Sequence, residues 1–234
     1  MRTGLETYML TFCLAAFSTF TPFANAGQVI NAKDLQERCS DELNRGDPKQ
    51  ALVLCEHTIR ISLPLAKTAL DRGFSELEAK NLLKALEEFE KAQDLFSTAF
   101  LGLFGKELAW SFSGNTKQLL LARRERNIAT FLMTEAWIGS GMAQLALGRK
   151  NDAQRSFAEA LESNQEVVYF FKTEKNADTL GQAYYLRGLA KSALAELGSS
   201  RGSKQEACDA FEKSIELGFK PSKWWMSSDA SKSC

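Results

Sequence analysis

The sequence predicts an all-α protein, a solenoid of stacked helical hairpins, on two observations. Composition favours helix: proline is scarce, at 4 of 234 residues, and Ala, Leu, Glu and Lys dominate the middle of the chain. A motif of small and bulky residues also recurs. Gly73, Ala85, Phe89 and Ala92 are matched by Gly141, Ala153, Phe157 and Ala160, with spacings of 12, 4 and 3 in both copies.

In chain order, Met1–Ala26 reads as a secretory signal peptide. Met9 to Phe23 holds no charged residue, Arg2 stands ahead of it, and Ala24-Asn25-Ala26 is a small-x-small cleavage pattern. The mature chain then starts at Gly27. The alternative is an uncleaved anchor, but the apolar run is short of the roughly 20 residues a membrane span needs. Phe12, bulky and just ahead of Cys13, argues against lipidation there. No later segment is long and apolar enough to span a bilayer, so membrane insertion after signal removal is not expected.

The remaining chain is globular in composition. Hydrophobic residues make up 44% and charged residues 25%, enough for a core without special help. Lys+Arg and Asp+Glu are 29 each, so no net charge attracts nucleic acid.

Two weaker copies keep the frame of the first two. Cys39, Ala51, Cys55 and Thr58 hold all three spacings. Gly188, Ala207, Phe211 and Ser214 hold the last two, with the first widened to 19. The spacing has a physical cause. Two helices of a hairpin approach closely where both carry small residues, and a phenylalanine one turn on fills the space between them. A single hairpin cannot bury its apolar face, but a stack can.

Turn signals fall between the helices. Gly46-Asp47-Pro48 offers a glycine stop, an N-cap and a proline at the first helical position. Lys80-Asn81, Phe112-Ser113-Gly114-Asn115-Thr116 and Leu147-Gly148 are further turns. Gly198–Lys204 is a Gly/Ser-rich loop that explains the widened last copy. The frame has room for a unit at 100–133, but Arg123 and Arg126 stand where an aromatic and a small residue belong. Phe100–Asn115 therefore reads as an irregular connection holding at most one short helix. A long helix from Lys117 toward Leu147 follows.

At these residues the chain resembles the tetratricopeptide repeat family, whose period is about 34 residues. The two best copies are offset by twice that period. Trp137, Gly141, Ala153 and Phe157 match the family pattern, with departures at Ser140 and Gln144, where the family prefers Leu and Tyr. The resemblance implies a right-handed α-solenoid of about four repeats with one divergent insertion. The domain spans 27–222, with repeats near 32–65, 66–99, 134–167 and 181–221, and a tail at 223–234.

In that family a concave groove lined by the first helix of each hairpin holds peptides or helices of partners. The positions one turn either side of the small residue are Leu70 and Phe74, Ile138 and Met142, and Tyr185 and Leu189. All are apolar, so the family's carboxylate clamp is absent, and the groove suits a hydrophobic peptide or amphipathic helix. Alternatively, residues 100–115 fold in and bury it.

The mature chain keeps four cysteines, Cys39, Cys55, Cys208 and Cys234, an even number in an exported chain. The hairpin sets Cys39 against Cys55, which predicts a disulfide; Cys208 with Cys234 would pin the tail. Four free buried thiols are the alternative. Trp224 and Trp225 in the tail read as a cap on the stack or as a partner patch.

No catalytic, cofactor-binding or metal-binding grouping is present. His57 is the single histidine, without a nucleophile or second ligand at motif spacing, and Arg123-Arg124-Glu125-Arg126 reads as a solvated face or an acidic-partner contact. The chain thus reads as a periplasmic or secreted scaffold or adaptor for a protein or peptide, not an enzyme. The alternative is a structural or assembly subunit of a cell-envelope or secretion complex. Oligomeric state is left open.

Overall fold

The computed structural model describes residues 26–221. Over these residues the chain is helical, with no strand. Seven helices follow one another there: α1 (Ala26–Arg45), α2 (Pro48–Glu78), α3 (Leu82–Phe112), α4 (Thr116–Ala146), α5 (Lys150–Thr173), α6 (Ala177–Glu196) and α7 (Lys204–Glu216). Each packs against the next, and α1 also touches α3, α2 touches α4, and α4 touches α6.

The first four turns share one construction. Gly46, Lys80, Gly114 and Gly148 have φ of +80°, +61°, +71° and +76°, and they are evenly spaced, one repeat period apart. At each, the next residue's N–H reaches back along the helix just ended: Asp47 to Glu42 (2.9 Å), Asn81 to Glu76 (2.8 Å), Asn115 to Trp110 (3.2 Å) and Arg149 to Gln144 (2.8 Å). This is a Schellman closure, which satisfies carbonyls that the helix end leaves open. Asp47 then caps α2, its carboxylate accepting from the N–H groups of Lys49 and Gln50 at 3.1 and 3.0 Å. The turns read from sequence at 46–48, 80–81, 112–116 and 147–148 all lie here, as does the loop before Lys204.

The segment 100–115 differs from its expectation. Residues 100–112 are not an irregular connection; they continue α3 without a break. Two glycines of this stretch serve close packing. A Cβ on Gly102 would stand 3.2 Å from the side chains of Thr58 and Ile59, and one on Gly105 would stand 2.6 Å from Cys55 Sγ and 2.8 Å from Cys39 Sγ. Likewise α2 runs through residues 65 and 66, with Pro64 inside it. Helices α2, α3 and α4 are each 31 residues long.

One core runs from Ala66 on α2 to Phe211 on α7. A smaller one gathers Cys39, Leu54 and Cys55 with Leu35 and Leu43 at the N-terminal end.

Candidate interaction surface

The register of the hairpins places the chemistry. Where the first helix of a unit carries the motif glycine, the second helix of the same hairpin sets a phenylalanine against it. Gly73 faces Phe89 and Gly141 faces Phe157; a Cβ on these glycines would stand 2.6 and 2.8 Å from the rings. Gly188 faces Phe211 in the same way, across the longer loop. In the first hairpin the slot holds the Cys39–Cys55 disulfide, with Cα atoms 5.3 Å apart.

The hairpin between α3 and α4 has the same slot filled by charge. Glu107 lies one repeat period after Gly73, and Arg123 and Arg126 lie one period after Phe89 and Ala92. Arg123 Nε donates to Glu107 Oε1 at 2.9 Å, and Arg126 Nε to Glu107 Oε2 at 3.0 Å. Arg126 also reaches Glu166 of α5 at 2.7 Å and stacks 5.4 Å over the Phe100 ring. Two guanidiniums thus saturate the buried Glu107 carboxylate on α3.

The two departures from the repeat pattern are hydrogen-bonded across helices. Gln93 Nε2 donates to Ser140 Oγ at 2.7 Å, joining α3 to α4, and Ser156 Oγ donates to Gln144 Oε1 at 2.8 Å, joining α5 to α4.

The groove positions taken from the repeat are mostly core. Leu70 (2% exposed), Phe74, Ile138 (0%), Tyr185 and Leu189 are buried, and Met142 is half-buried. Residues 100–112 are helix and not an irregular segment laid over a groove. His57 is exposed on α2. Cys39 and Cys55 are bonded as expected. Cys208 is disulfide-bonded too; Cys234, Trp224, Trp225 and the N-terminal segment 1–25 lie outside the described residues.

What the sequence reading missed is the apolar surface of the unit at 100–133, where α3 turns into α4. Ten large hydrophobic side chains are exposed among the described residues, and six belong to this unit: Leu101, Phe104, Phe112, Leu120, Leu121 and Ile128. Phe104 occupies the register position of Leu70 and Ile138, yet it is 44% exposed. The frame itself carried the signal: one period on from Leu70 is Phe104, and one period on from Phe74 is Leu108.

Charge accompanies the apolar surface. Residues 100–133 carry Lys106, Lys117, Arg123, Arg124 and Arg126 against Glu107 and Glu125. Lys106 is taken by Glu125 (3.0 Å) and Glu56 (3.8 Å), and Arg123 and Arg126 by Glu107. Lys117 and Arg124 have no ion-pair partner among the described residues. Among the described residues no cluster of metal-ligating side chains occurs and no helix is long and apolar enough to cross a membrane.

No protein-family model matches the sequence, and no curated protein matches it.

Proposed function

We propose that this chain is an exported scaffold of tetratricopeptide-like hairpins that holds a protein partner, and that the contact lies on the α3/α4 hairpin. The observation that carries this reading is the gathering of exposed apolar side chains on that one hairpin. Isolated exposed leucines are ordinary on any protein, but a concentration of them marks a surface that is covered in use. The 34-residue spacing of the first four turns and packing slots supports the repeat assignment. Export is supported by the signal-like N-terminus and by the Cys39–Cys55 bond, which belongs in an oxidising compartment such as the periplasm. The sequence offers no nucleophile, base or metal grouping, so the role is binding rather than catalysis.

The test replaces Leu101 and Phe104 with serine. Both side chains are 44% exposed, so the fold should persist with at most a modest fall in melting temperature while capture of the partner from envelope extracts falls. Capture unchanged by the double substitution would remove the basis for this reading.

A further inference from the structure

We propose that the outer face of α4 docks an acidic amphipathic helix of a partner protein, whose apolar side chains seat on Leu120, Leu121 and Ile128 while its carboxylates pair with Lys117 and Arg124. The inference rests on the scaffold reading above and adds the chemistry of the partner.

Lys117, Leu121, Arg124 and Ile128 are separated by 4, 3 and 4 positions, so they form one stripe along α4. Leu120, Leu121 and Ile128 are 54%, 44% and 39% exposed. The stripe alternates cation and hydrophobe along about 16 Å of helix. The corresponding stripe on α3 is Leu83, Glu87, Glu90 and Asp94, of opposite sign. On α2 the same positions are Lys49, Val53, Glu56 and Arg60, and on α5 Asn151, Arg155, Ala158 and Glu162, so α4 alone of the four carries two cations with no carboxylate in the stripe.

Charge then selects the partner. Within 100–133 the other cations, Lys106, Arg123 and Arg126, are held by Glu56, Glu107, Glu125 and Glu166. Lys117 and Arg124 are left to an outside anion. An apolar stripe with unmatched cations at turn spacing is complementary to a helix bearing leucines at i, i+3 or i+4, and i+7, with glutamates beside them. An anionic membrane is favoured less. A helix that lies in an anionic lipid interface carries a polar face rich in free Lys and Arg, whereas here Arg123 and Arg126 are paired within the chain and only Lys117 and Arg124 are left.

The experiment titrates the purified, disulfide-bonded chain with a labelled Leu/Glu amphipathic peptide about five turns long, and with its twin carrying lysine in place of every glutamate. Binding is read by fluorescence anisotropy at two salt concentrations. The Glu peptide should bind and weaken with salt, and the Lys peptide should not bind. The double variant K117E/R124E should lose about tenfold in affinity for the Glu peptide and gain affinity for the Lys peptide, since two charge pairs, one at exposed Lys117 and one at half-buried Arg124, are reversed. L121S/I128S should also weaken the Glu peptide, with the circular dichroism melt showing the fold intact. Equal binding of both peptides would overturn the inference and leave the scaffold reading standing. Failure of both peptides, with phosphatidylglycerol vesicles sedimenting the protein, would overturn it in favour of a lipid surface. A dimer in sedimentation that K117E/R124E dissociates would overturn it in favour of a second copy of this chain. Should no peptide bind while L101S/F104S also leaves partner capture untouched, the scaffold reading itself falls.

Discussion

Arg123 meets Glu107 at 2.9 Å in the position where, one unit earlier, Phe89 meets Gly73. The same slot is thus filled by a disulfide, an aromatic ring or an ion pair in successive hairpins, without changing how the helices follow one another. The backbone register is therefore more permissive of chemistry than the repeat pattern implies.

Removing one side of this pair should cost more than replacing all of it. Glu107→Ala leaves Arg126, only 14% exposed in its side chain, with a partner lost. Urea denaturation should show a loss of about 2 kcal/mol, at the low side for a buried pair because Arg123 is 45% exposed. The triple variant E107G/R123F/R126A restores the small and aromatic residues of the neighbouring units. It should be as stable as the parent or more so. A triple variant less stable than E107A would show that the ion pair is not standing in for the apolar slot.

Phe89 is clasped from two sides, by Gly73 on α2 and by Gly139 on α4. An alanine at Gly139 would push its Cβ into the ring, and overpacking of this kind costs about 1–3 kcal/mol. In a double-mutant cycle, Phe89→Leu should relieve part of that cost, with a coupling of about 0.5 kcal/mol or more. Additive losses would mean that the ring does not mediate the α2–α4 approach.

The Cys39–Cys55 bond closes a loop across a sequence separation of 16. Loops of this length are worth about 3 kcal/mol in the chain-entropy model. The double variant C39S/C55S should lose that much, and the loss should be local. Hydrogen exchange should quicken in α1 and the N-terminal half of α2, where the small core around Leu35, Leu43 and Leu54 sits. Uniform acceleration through α6 would contradict a separate N-terminal core.

Lys80 holds φ +61° where the other turns in its series have glycine. A side chain in that region costs roughly 1–2 kcal/mol relative to glycine. Lys80→Gly should therefore stabilise the chain and raise the melting temperature by about 2–4 °C. A lower melting temperature would indicate that the lysine makes a contact worth more than the strain.

Much of this architecture can be read from residue spacing. The 12-4-3 pattern locates the slots, the Gly and Asn positions locate the turns, and the cysteine pair in the first slot predicts its own bond. The α3/α4 unit escapes because its slot is polar, and a search for small and aromatic residues passes over Glu107 and Arg123. Of the fused helices, α4 is legible as one run from Lys117 toward Leu147, but α2 and α3 escape because nothing between adjacent repeats stops a helix; even Pro64 is accommodated within α2. Burial of Leu70 and Ile138 depends on how neighbouring helices cover them, which single-chain periodicity does not encode. Phe104, in the same register, escapes that cover.

The three longest helices, α2, α3 and α4, have a mechanical meaning. Each belongs to two adjacent hairpins at once, so no joint separates one unit from the next. A push at one end of α3, against the disulfide, must appear at its other end, beside Phe89, as tilt of a single rod. Such an array bends as a braced frame and not as a string of beads, and whatever grips its middle feels the stiffness of both ends.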